Sequence, residues 1–101
     1  MKPRTLKRVV EKIVEYFRRE GLYVNYCEIR ERRGEFEVFL RLDGNVAGLS
    51  TVKMVFSKKK EKFFVFTGRV SLDLRLKRLI TRILEAERRE VPLQEENTGS
   101  S

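Results

Sequence analysis

Glu35-Phe36-Glu37-Val38-Phe39-Leu40-Arg41-Leu42 is the stretch that decides the fold. Successive side chains of an extended strand leave it on opposite faces, so Phe36, Val38, Leu40 and Leu42 share one face while Glu37, Phe39 and Arg41 share the other. A two-residue period sustained over this length predicts a strand with one buried and one wet face. One aromatic, Phe39, interrupts the polar side.

Immediately upstream, Arg33-Gly34 reads as a tight turn, and Leu22 to Arg32 as the strand that pairs with Glu35 to Asp43 in a hairpin. The parity that carries Glu28, Arg30 and Arg32 to the polar face of this first strand carries Tyr26 with them. Downstream, Asp43-Gly44-Asn45 opens a loop expected to extend through Gly48. Ser50 to Ser57 and Lys62 to Val70 then form a second hairpin around Lys58-Lys59-Lys60-Glu61. If the third strand buries Val52, Met54 and Phe56, Lys53 joins the polar face. The fourth strand, Phe63-Phe64-Val65-Phe66, is apolar on both parities, so at least one of its Phe pairs faces away from the main core.

Helices are expected at both ends. Leu6, Val9, Val10, Ile13, Val14 and Phe17 recur at the spacing that gathers apolar side chains on one helical stripe. Thr5 is placed to cap the start of this helix and Gly21 to close it near Glu20. Ser71 is placed to cap a second helix with Leu72, Leu76, Leu79, Ile80, Ile83 and Leu84 on its stripe. Arg75, Lys77, Arg78 and Arg82 lie outside that stripe, with no acidic residue between Arg75 and Leu84. The order is α-β-β-β-β-α: an α+β fold with a four-stranded antiparallel sheet flanked by N- and C-terminal helices. Burying both stripes on one sheet face leaves the other face to water or a partner. Residues 1–90 are read as one basic domain and 91–101 as a flexible acidic tail.

Charge points to the kind of partner. The chain of 101 residues carries a net +8, divided as +11 over residues 1–84 and −3 over residues 85–101. A body this basic is suited to a polyanion. The balance of Lys, Arg and Glu with no His or Trp is that reported for hyperthermophile proteins, where ion pairs cost less on heating. Cys27, the single cysteine, is expected to be a small core residue; alone it forms no intramolecular disulfide, and a reduced, cytoplasmic setting fits it. No run approaches the ~20 apolar residues of a membrane span.

On the wet face, Tyr26 and Phe39 are interleaved with Arg30, Arg32, Arg41 and Lys53, and Phe63, Lys58, Lys59, Lys60, Lys62 and Arg69 are grouped with them as candidate contacts. Rings stack on bases of any sequence, and cations follow the phosphates. This combination predicts a non-catalytic binder of single-stranded DNA or RNA with little sequence preference and no cofactor. Two other classes are weighed beside it. One is an accessory subunit that docks on a larger nucleic-acid-processing protein through the doubly apolar Phe63 to Phe66. The other is a metal-dependent nuclease built on Glu28, Glu35, Glu37 and Asp43, although Arg30, Arg33 and Arg41 stand beside these carboxylates as ordinary cross-strand partners. With no His and one Cys, neither zinc hydrolysis nor His-based acid–base catalysis is available from a single chain.

Over roughly residues 5 to 90 the chain resembles ThermoDBP and its related proteins, archaeal single-stranded nucleic-acid binders, in element order and in Phe39, Arg41, Lys53 and the Phe63 to Phe66 run. The resemblance implies a cleft over the sheet that holds single-stranded DNA or RNA. It also implies self-association into a homodimer or higher oligomer through helical segments, for which this chain lacks a long C-terminal zipper. The helix–sheet–helix order is similar to that of the double-stranded-RNA-binding domain as well, but Ser71-Leu72-Asp73-Leu74 does not match the basic motif that opens that family's last helix.

Overall fold

A computed structural model describes residues 1–44 and 50–100. Its elements run α1 (Pro3–Arg19), β1 (Leu22–Arg32), β2 (Glu35–Gly44), β3 (Thr51–Ser57), β4 (Phe63–Phe66) and α2 (Val70–Ser100). The strands form an antiparallel meander in the order β1-β2-β3-β4. This is the expected α-β-β-β-β-α architecture.

The period-two pattern of β2 sets the core. Phe36, Val38, Leu40 and Leu42 are buried, opposite Phe56, Met54 and Val52 of β3, and Val65 of β4 continues the same face. Leu6, Val9, Val10, Ile13 and Phe17 of α1 and Leu76, Ile80 and Ile83 of α2 pack on it. Arg8, early in α1, pairs at 2.9 Å with Glu87, just past the middle of α2. The end of α1, at Tyr16, Phe17 and Glu20, shares a hollow with Ser71, Leu72 and Arg75 at the start of α2. The helices therefore run antiparallel on one side of the sheet, and the other side is open.

The helix starts differ from those expected. Pro3 occupies the first turn of α1, where its fixed φ and missing N–H cost nothing. The helix thus begins before Thr5, which lies inside it and is not its cap; Lys2 takes the cap position without a side-chain bond. Gly21, at φ +81°, ends the helix as expected. At α2 the cap is not Ser71. Asp73 Oδ1 accepts from the Thr67 N–H at 2.8 Å and from the Thr67 hydroxyl at 2.6 Å, while the Arg69 N–H donates to Thr67 Oγ1 at 3.1 Å. This knot, with Gly68 at φ +89°, turns the chain out of the sheet, so β4 ends at Phe66 rather than at Val70.

At the other end of the chain, the backbone stays helical through Val91 and Pro92 to Ser100, where the sequence suggested a flexible tail. Leu93, Gln94, Glu95 and Glu96 are good helix formers, and Pro92 withholds one ladder bond. Asp43 and Gly44 belong to β2, and the rest of the loop expected through Gly48 lies outside the described residues, as does position 101.

β1 has its own irregularity. Val24 pairs with Leu42 and Tyr26 with Arg41, so the register slips at Asn25. Leu22 and Val24 face the helices; beyond the slip Tyr26, Glu28, Arg30 and Arg32 face away from them. Cys27 and Ile29, opposite the buried Leu40 and Val38, are on the helix side, yet Cys27 is exposed and Ile29 is 46% exposed. The expectation of a core cysteine fails because α1 crosses only the early part of β1 and the helical layer stops short of Cys27.

Candidate nucleic-acid interface

Register lays the open face out in rows across the sheet. The first is Tyr26, Arg41 and Thr51; the second Glu28, Phe39, Lys53 and Phe66; the third Arg30, Glu37, Val55 and Phe64. The first two rows and Arg30 line a continuous groove of about 750 Å³. Phe39 is its centre. The half-buried ring has the Arg30 guanidinium 5.3 Å from its centroid and the Lys53 ammonium 5.6 Å from it, and Arg41 lies 5.5 Å from the Tyr26 ring. At exposed sites such cation–ring contacts contribute on the order of 0.5–1 kcal/mol each, enough to orient the cations without fixing them.

Three cations of the groove face one carboxylate, Glu28. It accepts from Arg30 Nε at 2.7 Å and from the Tyr26 hydroxyl at 2.9 Å. The Arg30 bond, and after it the Tyr26 bond, holds the Glu28 carboxyl below its usual range. The same contacts raise the Tyr26 phenol and the Arg30 guanidinium. All three groups thus keep their charge states across the neutral range.

Of the residues selected from sequence, Tyr26, Arg30, Phe39, Arg41 and Lys53 meet in this groove. Arg32 shares the face but lies at its far end, 2.5 Å from Glu37. The remaining six are elsewhere. Phe63 is opposite Phe56 in register and stacks on it at 6.0 Å on the helix side of the sheet. Lys58 turns to the end of the core, 5.1 Å from the Phe36 ring, and pairs with Glu31 at 3.2 Å. Lys59, Lys60 and Lys62 line a separate hollow of about 280 Å³ with Met1, Lys2, Leu84 and Arg88. The hairpin tip is held there by the Met1 amine, which donates to the carbonyl oxygens of Ser57 and Lys58, and by an Arg88–Glu61 pair. Arg69 belongs to the knot before α2.

The residues the selection passed over are Phe64 and Phe66. They are 51% and 55% exposed and stacked on each other, with centroids 6.4 Å apart and planes 5° from parallel. A run that is apolar on both parities hides which pair is outside; the pairing of Phe63 with Phe56 settles it.

In the first hairpin Glu28 is paired with Arg30, Glu37 with Arg32 and Glu31 with Lys58, and among the described residues no three carboxylates or thiols gather as metal ligands. Nor, among the described residues, is any helix long and apolar enough to cross a membrane. Compared with known proteins, the chain matches no family model, no curated protein and no solved structure.

Proposed function

We propose that this protein binds single-stranded nucleic acid, without catalysis and with little sequence preference, in the groove over the open face of its sheet. The observation that carries the reading is Phe39 flanked by Arg30 and Lys53 in an open groove. A base stacking on Phe39 displaces one of the two cations, which then follows the phosphate beside that base. Four-stranded sheets that read RNA seat two or three bases on their aromatics, and Tyr26, Phe39 and Phe66 supply three rings at that scale. Base stacking contributes about 1–3 kcal/mol per base and tolerates any sequence. Duplexes keep the faces of their bases stacked inside, so a face of rings and cations favours single strands.

The test is a titration of fluorescent single- and double-stranded DNA and RNA over a series of salt concentrations. With Arg30, Arg41 and Lys53 as the phosphate contacts, log affinity for single strands falls with log salt at a slope of about −2, from roughly −0.7 per contact. Affinity that ignores salt, or equal affinity for duplex and single strand, overturns the reading.

A second reading rests on the exposed Phe64–Phe66 stack on edge strand β4: an accessory subunit that docks these rings on a larger nucleic-acid-processing protein. It takes precedence if no oligonucleotide binds.

A further inference from the structure

The free edge of β1 carries a pattern complementary to itself. The Leu42 N–H donates to the Ser50 carbonyl at 2.8 Å, which aims the backbone of Leu42 at β3. Bonding direction alternates along an antiparallel strand, so Phe39, Glu37 and Glu35 aim theirs at β1, and their register partners Glu28, Arg30 and Arg32 aim back. The N–H and C=O groups of Cys27, Ile29 and Glu31 therefore point away from β2. Because β1 ends the strand order, they meet no ladder partner among the described residues. This edge is 11 residues long and bears an exposed isoleucine amid Glu28, Arg30, Glu31 and Arg32; a free edge of that length is a template for pairing, and its charges decide with what.

We propose that two copies of this chain join by antiparallel pairing of β1 with β1, centred on Ile29, into one continuous sheet. The charges select that centre. There Glu28 lies opposite Arg30 of the partner subunit, and Arg30 opposite Glu28 of the partner subunit. Tyr26 faces Arg32 of the partner subunit, and the two Ile29 side chains meet on the helix side, beyond the layer that leaves them bare. Every other register is worse. Centring on Glu28 or Arg30 sets like charges against each other, and centring on Glu31 sets Arg30 against Arg32 of the partner subunit. Centring on Cys27 brings the slipped residue Asn25 into the ladder. Opposite charges across an antiparallel pair stabilise it and like charges destabilise it. Backbone phase agrees as well, since the outward-bonding residues Cys27, Ile29 and Glu31 are the ones this register joins.

Sedimentation velocity on the full chain, freed of nucleic acid, tests the proposal independently of what the groove holds. The wild-type protein is expected to show a concentration-dependent species of about 24 kDa, twice the 12.0 kDa chain. Glu28→Arg alone, and Arg30→Glu alone, should give monomers with unchanged circular dichroism, because each places like charges opposite each other twice. Combining them inverts the pattern without losing complementarity, and the dimer should return. In a Cys27→Ser background, Ile29→Cys should cross-link to its own copy with a short bis-maleimide, since directly bonded partners lie about 5.5 Å apart between Cα atoms. A wild-type monomer at every concentration overturns the proposal. So does a double variant as monomeric as the single ones, or a dimer in which Ile29→Cys copies do not cross-link.

Discussion

Phe56 and Phe39 occupy neighbouring strands of one sheet and have opposite fates. Phe56 faces the helices and is fully buried, whereas Phe39 faces away from them and is held between two cations at the floor of an open groove. The two faces differ in what surrounds the ring rather than in the ring. On the inner face apolar neighbours, Phe36 and Phe63 among them, make it a packing element; on the outer face Arg30 and Lys53 leave it half-buried and available to another flat surface. An aromatic residue in a strand thus says little until register gives its side.

Three substitutions probe that contrast. The largest effect belongs to Phe56→Ala, which removes a fully buried ring and should lower folding stability by about 3–5 kcal/mol in chemical denaturation. A loss below about 1 kcal/mol there would mean that the helical layer does not seal this face. Next, Phe39→Ala should weaken single-strand binding by about 1–3 kcal/mol with the salt slope preserved. Its cost in stability should be much smaller than that of Phe56→Ala. If both variants lose stability alike and neither changes binding, the two faces are not functionally distinct. The smallest change is that of Lys53→Ala, which should flatten the salt slope by about 0.7 while leaving the preference for single strands intact.

Sequence legibility followed the clarity of each pattern. β2 and the half of β1 beyond Asn25 were readable almost residue by residue, because alternation meets an Arg33-Gly34 turn with Gly34 at φ +118°; the slip at Asn25 itself was not. The open face and most of its groove followed from parity alone: Tyr26, Arg30, Phe39, Arg41 and Lys53. Three other things were not readable from pattern. Parity gives a side but not the reach of the layer above it, so Cys27 and Ile29 were not recognisable as bare. Phe63 and Phe64 are equivalent to any periodicity argument, and only the pairing of Phe63 with Phe56 separates them. The lysines of the β3–β4 tip belong by sequence to a sheet hairpin, yet contacts with Met1 and Arg88, remote in sequence, hold that tip against the helices. The end of β4 and the start of α2 were missed for a related reason: the Thr67–Asp73 bonds span a turn that propensity does not see.

The register slip at Asn25 bears on how this chain tolerates change in length. It lets one strand present Leu22 and Val24 to the interior and Tyr26, Glu28 and Arg30 to the exterior, although all five have even numbers. Losing Asn25 would close the bulge and leave Val24 facing in and Tyr26 facing out in plain alternation, so a residue can be removed here without turning any side chain over. A residue lost from the alternating stretch beyond it, such as Cys27, would instead swing Tyr26 from the open face to the helix side. The bulge is spare length whose removal straightens the strand, whereas the alternation beyond it has none to give.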